Sequence, residues 1–525
     1  MAELVSSGVA EIKEERSKLK RELTLLPLFG MMYFTVCGGA FGAEPMVGYT
    51  GPGMAILLLA LTPLVYSIPN MLMVREMTSM MPIEGGYYHW VKAAFGPFWG
   101  FLTGWMNLVV SWVDVAIYPV WAAAYLAFFI PALDEGAMIG GVYLSAGVLQ
   151  WVVALVMIWL IALLQTRGAR LTGLFTDWVG VIMLVPLIIM SGFGIYNWIF
   201  NGSAQQLPFM AEGQTVFGAF SVGLFIAMWN YMGWELPSSA GSEIVNPRRT
   251  YPMAMALTLV AAIGTYMIPT LSGLYGGAGN DGKFHIWGIE ETDGIGPYLA
   301  EYSITEDQII SWGSDPADEF GWEFPDIAAQ IGITFNGGED GALALILGSL
   351  VTVSAIFSMT GLFIGNSLSS SRVPFAMAED GMMPKWLVKV HPKYGTPYVS
   401  IIVASLMFSI LSLSTFAFLV VVDVFLNVLA LLLQFLSLWK LRLSRPEVPR
   451  QKVPGGMGGL VLVTLGPVGI FILATVSQLQ EEGLGTLWLA AAAIAAGAII
   501  YTIMRKYIKP GVPDVNPWEG HLEEE

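Results

Sequence analysis

Val36-Cys37-Gly38-Gly39-Ala40-Phe41-Gly42-Ala43-Glu44 puts three glycines within five residues inside the first long apolar run of the chain. A glycine costs a helix interior about 1 kcal/mol relative to alanine, so this run predicts a helix that comes apart midway. Open backbone at membrane depth survives only where it is packed in protein or lines a cavity, which makes the break a candidate site. Glycines also let membrane helices pack closely, and a single cluster fits that plainer reading better. A second break in the matching place of a second half would tip the balance.

Composition puts the break in a bilayer. The 525 residues are 55% hydrophobic and 12% charged, with a mean hydropathy of +0.65, too apolar for a soluble globular protein. Runs of about 20 apolar residues, enough to cross hydrocarbon, occur near 25–48, 53–74, 95–129, 141–164, 171–193, 215–238, 252–275, 342–370, 398–413, 416–439, 459–478 and 484–504. Segment 1–24 reads as cytoplasmic; its alternating charges from Ala10 to Glu22 lack an apolar core and predict no cleaved leader. The one cysteine, Cys37, excludes an internal disulfide, and four scattered histidines give no metal-ligand spacing.

With the N-terminus inside, 23 of the 24 Lys and Arg fall on cytoplasmic segments and Lys283 alone lies outside. That bias is the one expected of cytoplasmic flanks, and it predicts a multi-pass protein of the cell membrane with both termini cytoplasmic. Between Gly279 and Asp340, 14 Asp and Glu stand against Lys283, so most of the chain's net charge of −16 sits in one external loop, 277–340. Such a loop could concentrate cations at a mouth, but a solvated cap explains it at least as well.

The second break lies at Met228-Trp229-Asn230-Tyr231-Met232-Gly233-Trp234-Glu235-Leu236-Pro237, where Asn230, Gly233, Glu235 and Pro237 all resist an undisturbed apolar helix. The predicted fold is all-α, with twelve transmembrane helices. Residues 25–195 and 196–440 form two five-helix halves of opposite topology, each opening on a broken helix. Two further helices at 441–505 and a cytoplasmic tail at 506–525 follow. In an inverted repeat, half-helix ends and unwound carbonyls meet near mid-membrane and bind small molecules. Candidate binding residues are therefore Val36, Gly38, Gly39, Ala40, Phe41 and Gly42 at the first break, and Trp229, Asn230, Tyr231, Gly233 and Trp234 at the second.

Several motifs resemble one family. They are Gly38-Gly39-Ala40-Phe41-Gly42, Asp114 through Tyr118 to Val120, Trp229 through Glu235, Ala240 through Pro252, and Ser371 through Pro384 continuing to Gly395-Thr396-Pro397. From Leu25 to Trp439 the chain resembles the amino acid–polyamine–organocation permeases, and the glycine variant is similar to their polyamine-uptake branch. The resemblance implies a secondary transporter that rocks spans 1, 2, 6 and 7 against 3, 4, 8 and 9, with Glu243, Arg248 and Arg372 at a cytoplasmic gate. It also implies acids at Glu44, Asp114 and Glu235. The chain departs from that branch at Pro45, where a second acid is common.

A carboxylate at membrane depth is expensive and by default a functional suspect, although neighbouring hydroxyls can satisfy one structurally. Glu44 and Glu235 follow the two breaks and could face a central cavity, countering an ammonium or carrying a proton. Asp114 shares a helix face with Tyr118. Asp177 and Asp423 are weaker candidates. Tyr118, Trp229, Tyr231 and Trp234 could box an ammonium. Some members of the resembling family couple protons through a lysine in span five, which has none here, and the resemblance implies that Ser354 and Ser358 could assist sodium. Three readings result. The first is proton-coupled uptake of a cationic amine or amino acid, with H+ as the driving ion. The second is a neutral amino acid exchanger or sodium symporter, and the third a channel or sensor, which the short polar tail disfavours. The expected partners are a small amino acid or polyamine and the lipid bilayer, with no nucleic acid. The absence of a nucleophile–base pair, phosphate loop or metal cluster argues against an enzyme.

Overall fold

The computed structural model describes residues 21–83, 85–201, 207–210, 215–277, 324–337, 341–413, 416–481 and 485–507. Most of segment 1–24, most of the acidic loop 277–340 and nearly all of the tail 506–525 lie outside the described residues. The first apolar run forms α1 (Leu25–Val36) and α2 (Glu44–Thr50) on either side of an irregular stretch. Next come α3 (Pro52–Met80), α4 (Gly86–Phe95), α5 (Pro97–Ala127), α6 (Ala146–Thr166) and α7 (Ala169–Tyr196). α8 (Val216–Asn230) ends at the second break, which passes through short 3-10 turns at Leu236–Ser239 and Gly241–Glu243 into α9 (Pro247–Gly276). The rest is α10 (Phe324–Phe335), α11 (Ala342–Glu379), α12 (Tyr398–Leu411), α13 (Phe416–Ser444), α14 (Gly456–Glu481) and α15 (Gly485–Tyr507).

Helix starts are written in the sequence. Gly51-Pro52, Gly96-Pro97 and Asn246-Pro247 each open a helix with proline in its first turn, where the missing N–H is no loss and φ is already helical. Eight helices among the described residues are long and apolar enough to cross a membrane, and α1, α8 and α12 are shorter apolar helices. Leu160, Ile188, Val260 and Leu462 stand on the outside of the bundle, an apolar surface suited to lipid.

Among the described residues the structure departs from an all-α reading at a short hairpin and at an isolated parallel bridge between Leu23 and Ile244. Ala137–Ile139 (β1) pairs antiparallel with Val142–Leu144 (β2), because Gly140-Gly141 takes positive φ at both residues (60° and 83°), the geometry of a two-residue hairpin. The apolar run that begins at 141 is therefore strand before it becomes α6. α11 also runs past the expected 370 to Glu379, through Pro374.

The interrupted helices lie in the interior. α1 packs on α7, α9 and α11, α8 packs on α2 and α3, and α11 packs on α5, α7 and α10. Val36, Cys37, Ala40, Phe41 and Ala43 of the first break all belong to the buried core.

Candidate functional site

The first break is shaped by its glycines. After Val36 the chain runs extended through Cys37, and Gly39 and Gly42 then take φ of +91° and +105°, a region that strains any residue with a Cβ. At the second break, Gly233 has φ +94°, and a Cβ there would collide with the carbonyl of Thr35 at the end of α1. The two openings are therefore in direct contact. Asn230 binds them: its Nδ2 donates to the carbonyl of Gly42 at 2.8 Å, and its own carbonyl accepts from the Tyr266 hydroxyl at 2.7 Å.

A cavity of about 590 Å³, counting the space at its mouth, opens beside this crossing. Thr35, Val36, Gly38 and Phe41 form one wall and Trp229, Asn230, Met232, Gly233 and Leu236 another. α5 supplies Val110, Ser111, Asp114, Val115 and Tyr118, while α9, α11 and α13 add Tyr266, Leu362, Asn366 and Asn427. Among these lining residues Asp114 has the one ionisable carboxylate, and no Lys, Arg or His is present. The Tyr118 hydroxyl donates to that carboxylate at 2.8 Å and 3.0 Å, and the Trp229 side chain also hydrogen-bonds to it. Trp229 in turn meets Trp121 edge-on at 6.2 Å between centroids. A desolvated carboxylate framed by aromatic rings attracts an ammonium through charge and ring faces together.

Other expected site residues lie behind the wall. Gly39 backs onto Met183, and Ala40 is fully buried. Gly42 is held by Asn230. Tyr231 donates to the carbonyl of Leu59 at 3.2 Å, and the carbonyl of buried Trp234 accepts from Tyr251 at 3.3 Å. Neither Glu44 nor Glu235 lines the cavity. Glu44 accepts from the N–H of Gly42 at 2.7 Å and from that of Phe324 at 3.4 Å, tying the first break to α10, where Phe41 and Phe324 also meet edge-on at 5.9 Å. Glu235 is buried within electrostatic reach of Tyr87 and Tyr251. Ser354 donates to the carbonyl of Met183 at 2.6 Å, and Ser358 is buried. The Asp423 side chain lies outside the described residues.

The gate candidates fall on the side of the bundle that carries most of the cations. Arg372 is fully buried and donates from Nε to Glu243 Oε1 at 2.8 Å, and from Nη1 to Ser371 Oγ at 2.9 Å and the Leu368 carbonyl at 3.2 Å. The Glu243 carbonyl accepts from the N–H groups of Glu22 and Leu23, both at 3.0 Å. Arg248 stands one residue into α9, and its carbonyl accepts from Gln451 at 2.7 Å. Next to this layer, Asp380 pairs with Lys92 at 2.7 Å and lies 3.7 Å from His89. Burial pushes the Asp380 carboxyl up, but His89 and Lys92 outweigh it and hold the group below the usual carboxylate range.

Asn366 and Asn427 are visible in the sequence as carboxamides within long, mostly apolar runs. Thr35, Leu362 and Tyr266 carried no such signal.

Membrane proteins that open two helices around a small-molecule cavity are built to carry molecules across, and this chain is of that class. It belongs to the amino acid permease family, which it matches over residues 23–283 and 328–504. It is 28% identical to polyamine transporter RMV1 of Arabidopsis thaliana over 496 residues, covering 94% of this chain and 87% of that one. It is likewise 28% identical to polyamine transporter PUT1 of Oryza sativa subsp. japonica over 491 residues, 92% of this chain and 78% of that one. Similarity extends to the serine/threonine exchanger SteT of Bacillus subtilis (strain 168), 23% identical over 394 residues, 74% of this chain and 75% of that one. The protein is a multi-pass membrane permease of this family, and not an enzyme.

Proposed function

We propose that this permease takes up a cationic amine or cationic amino acid, driven by a proton gradient through alternating access. In this reading it sits in the cell membrane with both termini cytoplasmic. Its twelve crossings form two inverted five-helix halves followed by two helices. The observation that carries the reading is Asp114, the one carboxylate in a cavity without a cation, held by Tyr118 and Trp229. A bound ammonium would meet a charge already oriented for it. Glu235, buried next to the second break, supplies a carboxyl able to carry the coupled proton, and H+ is the only accessory species required. Similarity to a serine/threonine exchanger supports a second reading, exchange of neutral amino acids in the same cavity. The deciding experiment is uptake into proteoliposomes from a panel of labelled polyamines and amino acids, with and without an inward proton gradient. Cationic substrates should accumulate only with the gradient. Uptake confined to neutral amino acids, or driven by sodium alone, would reject this reading.

A further inference from the structure

Asp177 lies about 12 Å along α7 from its first residue, Ala169, at about 1.5 Å per residue. In the proposed orientation this is the cytoplasmic half of the membrane. The carboxyl is pressed against α1, where Gly30 has no side chain: a Cβ on Gly30 would overlap Asp177 Oδ1. The other oxygen, Oδ2, is sealed from solvent and has no hydrogen-bond partner among the described residues.

Among the described residues no counter-charge is paired with it. The elements packed on α7 are α1, α6, α9, α10, α11 and the π turn at Asn197–Asn201. Their titratable and charged groups are Tyr33 on α1, then Arg248, Arg249, Tyr251, Tyr266 and Tyr275 on α9, Asp326 on α10, and Arg372 and Glu379 on α11. Tyr33 is engaged with Thr265 at 2.8 Å, Tyr251 with Trp234 and Tyr266 with Asn230, and Arg372 with Glu243. None of these groups pairs with the Asp177 carboxyl, whose side chain is half-buried with Oδ2 on its sealed side. A bare carboxylate at this depth with an unpartnered oxygen is costly in a way that a neutral carboxyl is not.

We infer that Asp177 is a proton-binding site that holds the inner half of the first span, α1, in its docked position, so that inward opening responds to cytoplasmic pH. The inference rests on the proposed alternating access only in taking α1 as the element that swings away. With α1 docked on α7 through Gly30, Asp177 keeps its proton and stays neutral. When α1 leaves, the carboxyl meets cytoplasmic water, and its O–H passes the proton to that water and leaves a hydrated carboxylate. Redocking requires the proton back. A higher cytoplasmic pH therefore favours the opened state.

The test is substrate counterflow in proteoliposomes of fixed orientation with internal pH varied, a measurement that needs no driving gradient. Where inward opening limits the parent, its exchange should rise with internal pH by up to about tenfold per unit, the limit for one proton. Asp177→Asn keeps the shape and cannot ionise, so its rate should be flat over the same range. Gly30→Ala displaces the carboxyl from its seat and should move the parent's pH dependence to lower pH. Infrared spectra give a readout independent of transport: the parent should contain a protonated-carboxyl band that fades as pH rises and is missing from Asp177→Asn. An Asp177→Asn protein that retains both the parent's internal-pH dependence and its full carboxyl band overturns the inference. Failure of proton-driven accumulation in the parent would instead reject the proposed coupling and leave these expectations unchanged.

Discussion

Asn230 Nδ2 donates to the carbonyl of Gly42 at 2.8 Å and to the carbonyl of Ile226 at 3.0 Å, so a single carboxamide closes the last turn of α8 and fastens it to the other broken helix, 188 residues earlier in the chain. With Tyr266 holding the Asn230 carbonyl, three elements share one junction. The two openings are in this way a single rigid unit, as a site needs if it is to hold its geometry while the surrounding helices move.

Asn230→Ala should therefore affect transport beyond the loss of one cavity wall. It leaves the Gly42 carbonyl without its donor, and an orphaned buried acceptor costs about 1–3 kcal/mol. Thermal unfolding in detergent should shift downward and counterflow should fall by about tenfold or more. Asn230→Asp, similar in shape but ionised or differently protonated, cannot make both donations and should behave alike. An Asp variant with the parent's melting point and rate would mean that the junction is held elsewhere.

The Arg372–Glu243 pair predicts non-additive damage. Both side chains are buried, and removing one partner of such a pair strands the other at about 3–5 kcal/mol. Arg372→Met or Glu243→Leu alone should reduce folded yield and stability sharply, whereas the double variant should recover a large part of the loss. If the pair is also the inner gate, the double variant should admit a cysteine-reactive probe to an introduced pore cysteine from the cytoplasmic side even without substrate. Additive single effects in the melting experiment would count against the pair acting as a unit.

The breaks could be read from sequence because glycine, asparagine and proline oppose an apolar helix by backbone chemistry alone; Gly39, Gly42, Gly233 and Asn230 announce themselves in that way. What could not be read was rotation. Membrane helices are apolar on most faces, so nothing in the run around Leu362 or Tyr266 distinguishes a cavity wall from a packed neighbour. Glu44 illustrates the same limit: its position after the break suggests a charge facing the cavity, but the backbone turn brings its carboxylate round to the N–H of Gly42 and to that of Phe324. The β1–β2 hairpin was hidden for another reason, since its Gly-Gly turn falls at the edge of an apolar run that composition alone assigns to helix.

Asp380 gives a pH prediction with a defined sign. Its carboxyl is held below the usual range in the folded protein, with burial opposed and exceeded by His89 and Lys92. A depressed carboxyl contributes stability that is fully present above its unfolded value, about 3.9, and is lost as pH falls through the lower folded value. Asp380→Asn should thus melt below the parent from pH 5 to 8, and the two curves should converge only below about pH 4. A margin that already shrinks between pH 7 and 5 would show that the pairing with Lys92 and His89 does not dominate.

Asp114 separates the competing substrates. A cationic substrate that neutralises this carboxylate loses a buried charge partner in Asp114→Asn, and truncating such a pair costs about 2–5 kcal/mol, or roughly thirtyfold or more in apparent affinity. Tyr118→Phe removes one donor but keeps the charge, so its effect should be smaller, about tenfold, and Tyr118→Phe combined with Asp114→Asn should add little to the Asn variant alone, because the hydroxyl acts through the carboxylate. A neutral amino acid has no net positive charge for Asp114 to balance and should be little affected by its loss. Competition of unlabelled polyamines, cationic amino acids and neutral amino acids against one labelled substrate, measured in parent and Asp114→Asn, therefore reads the charge preference of the cavity directly. Loss confined to the cationic competitors is the expected pattern, and equal weakening of all three classes would reduce Asp114 to a structural partner of Tyr118 and Trp229.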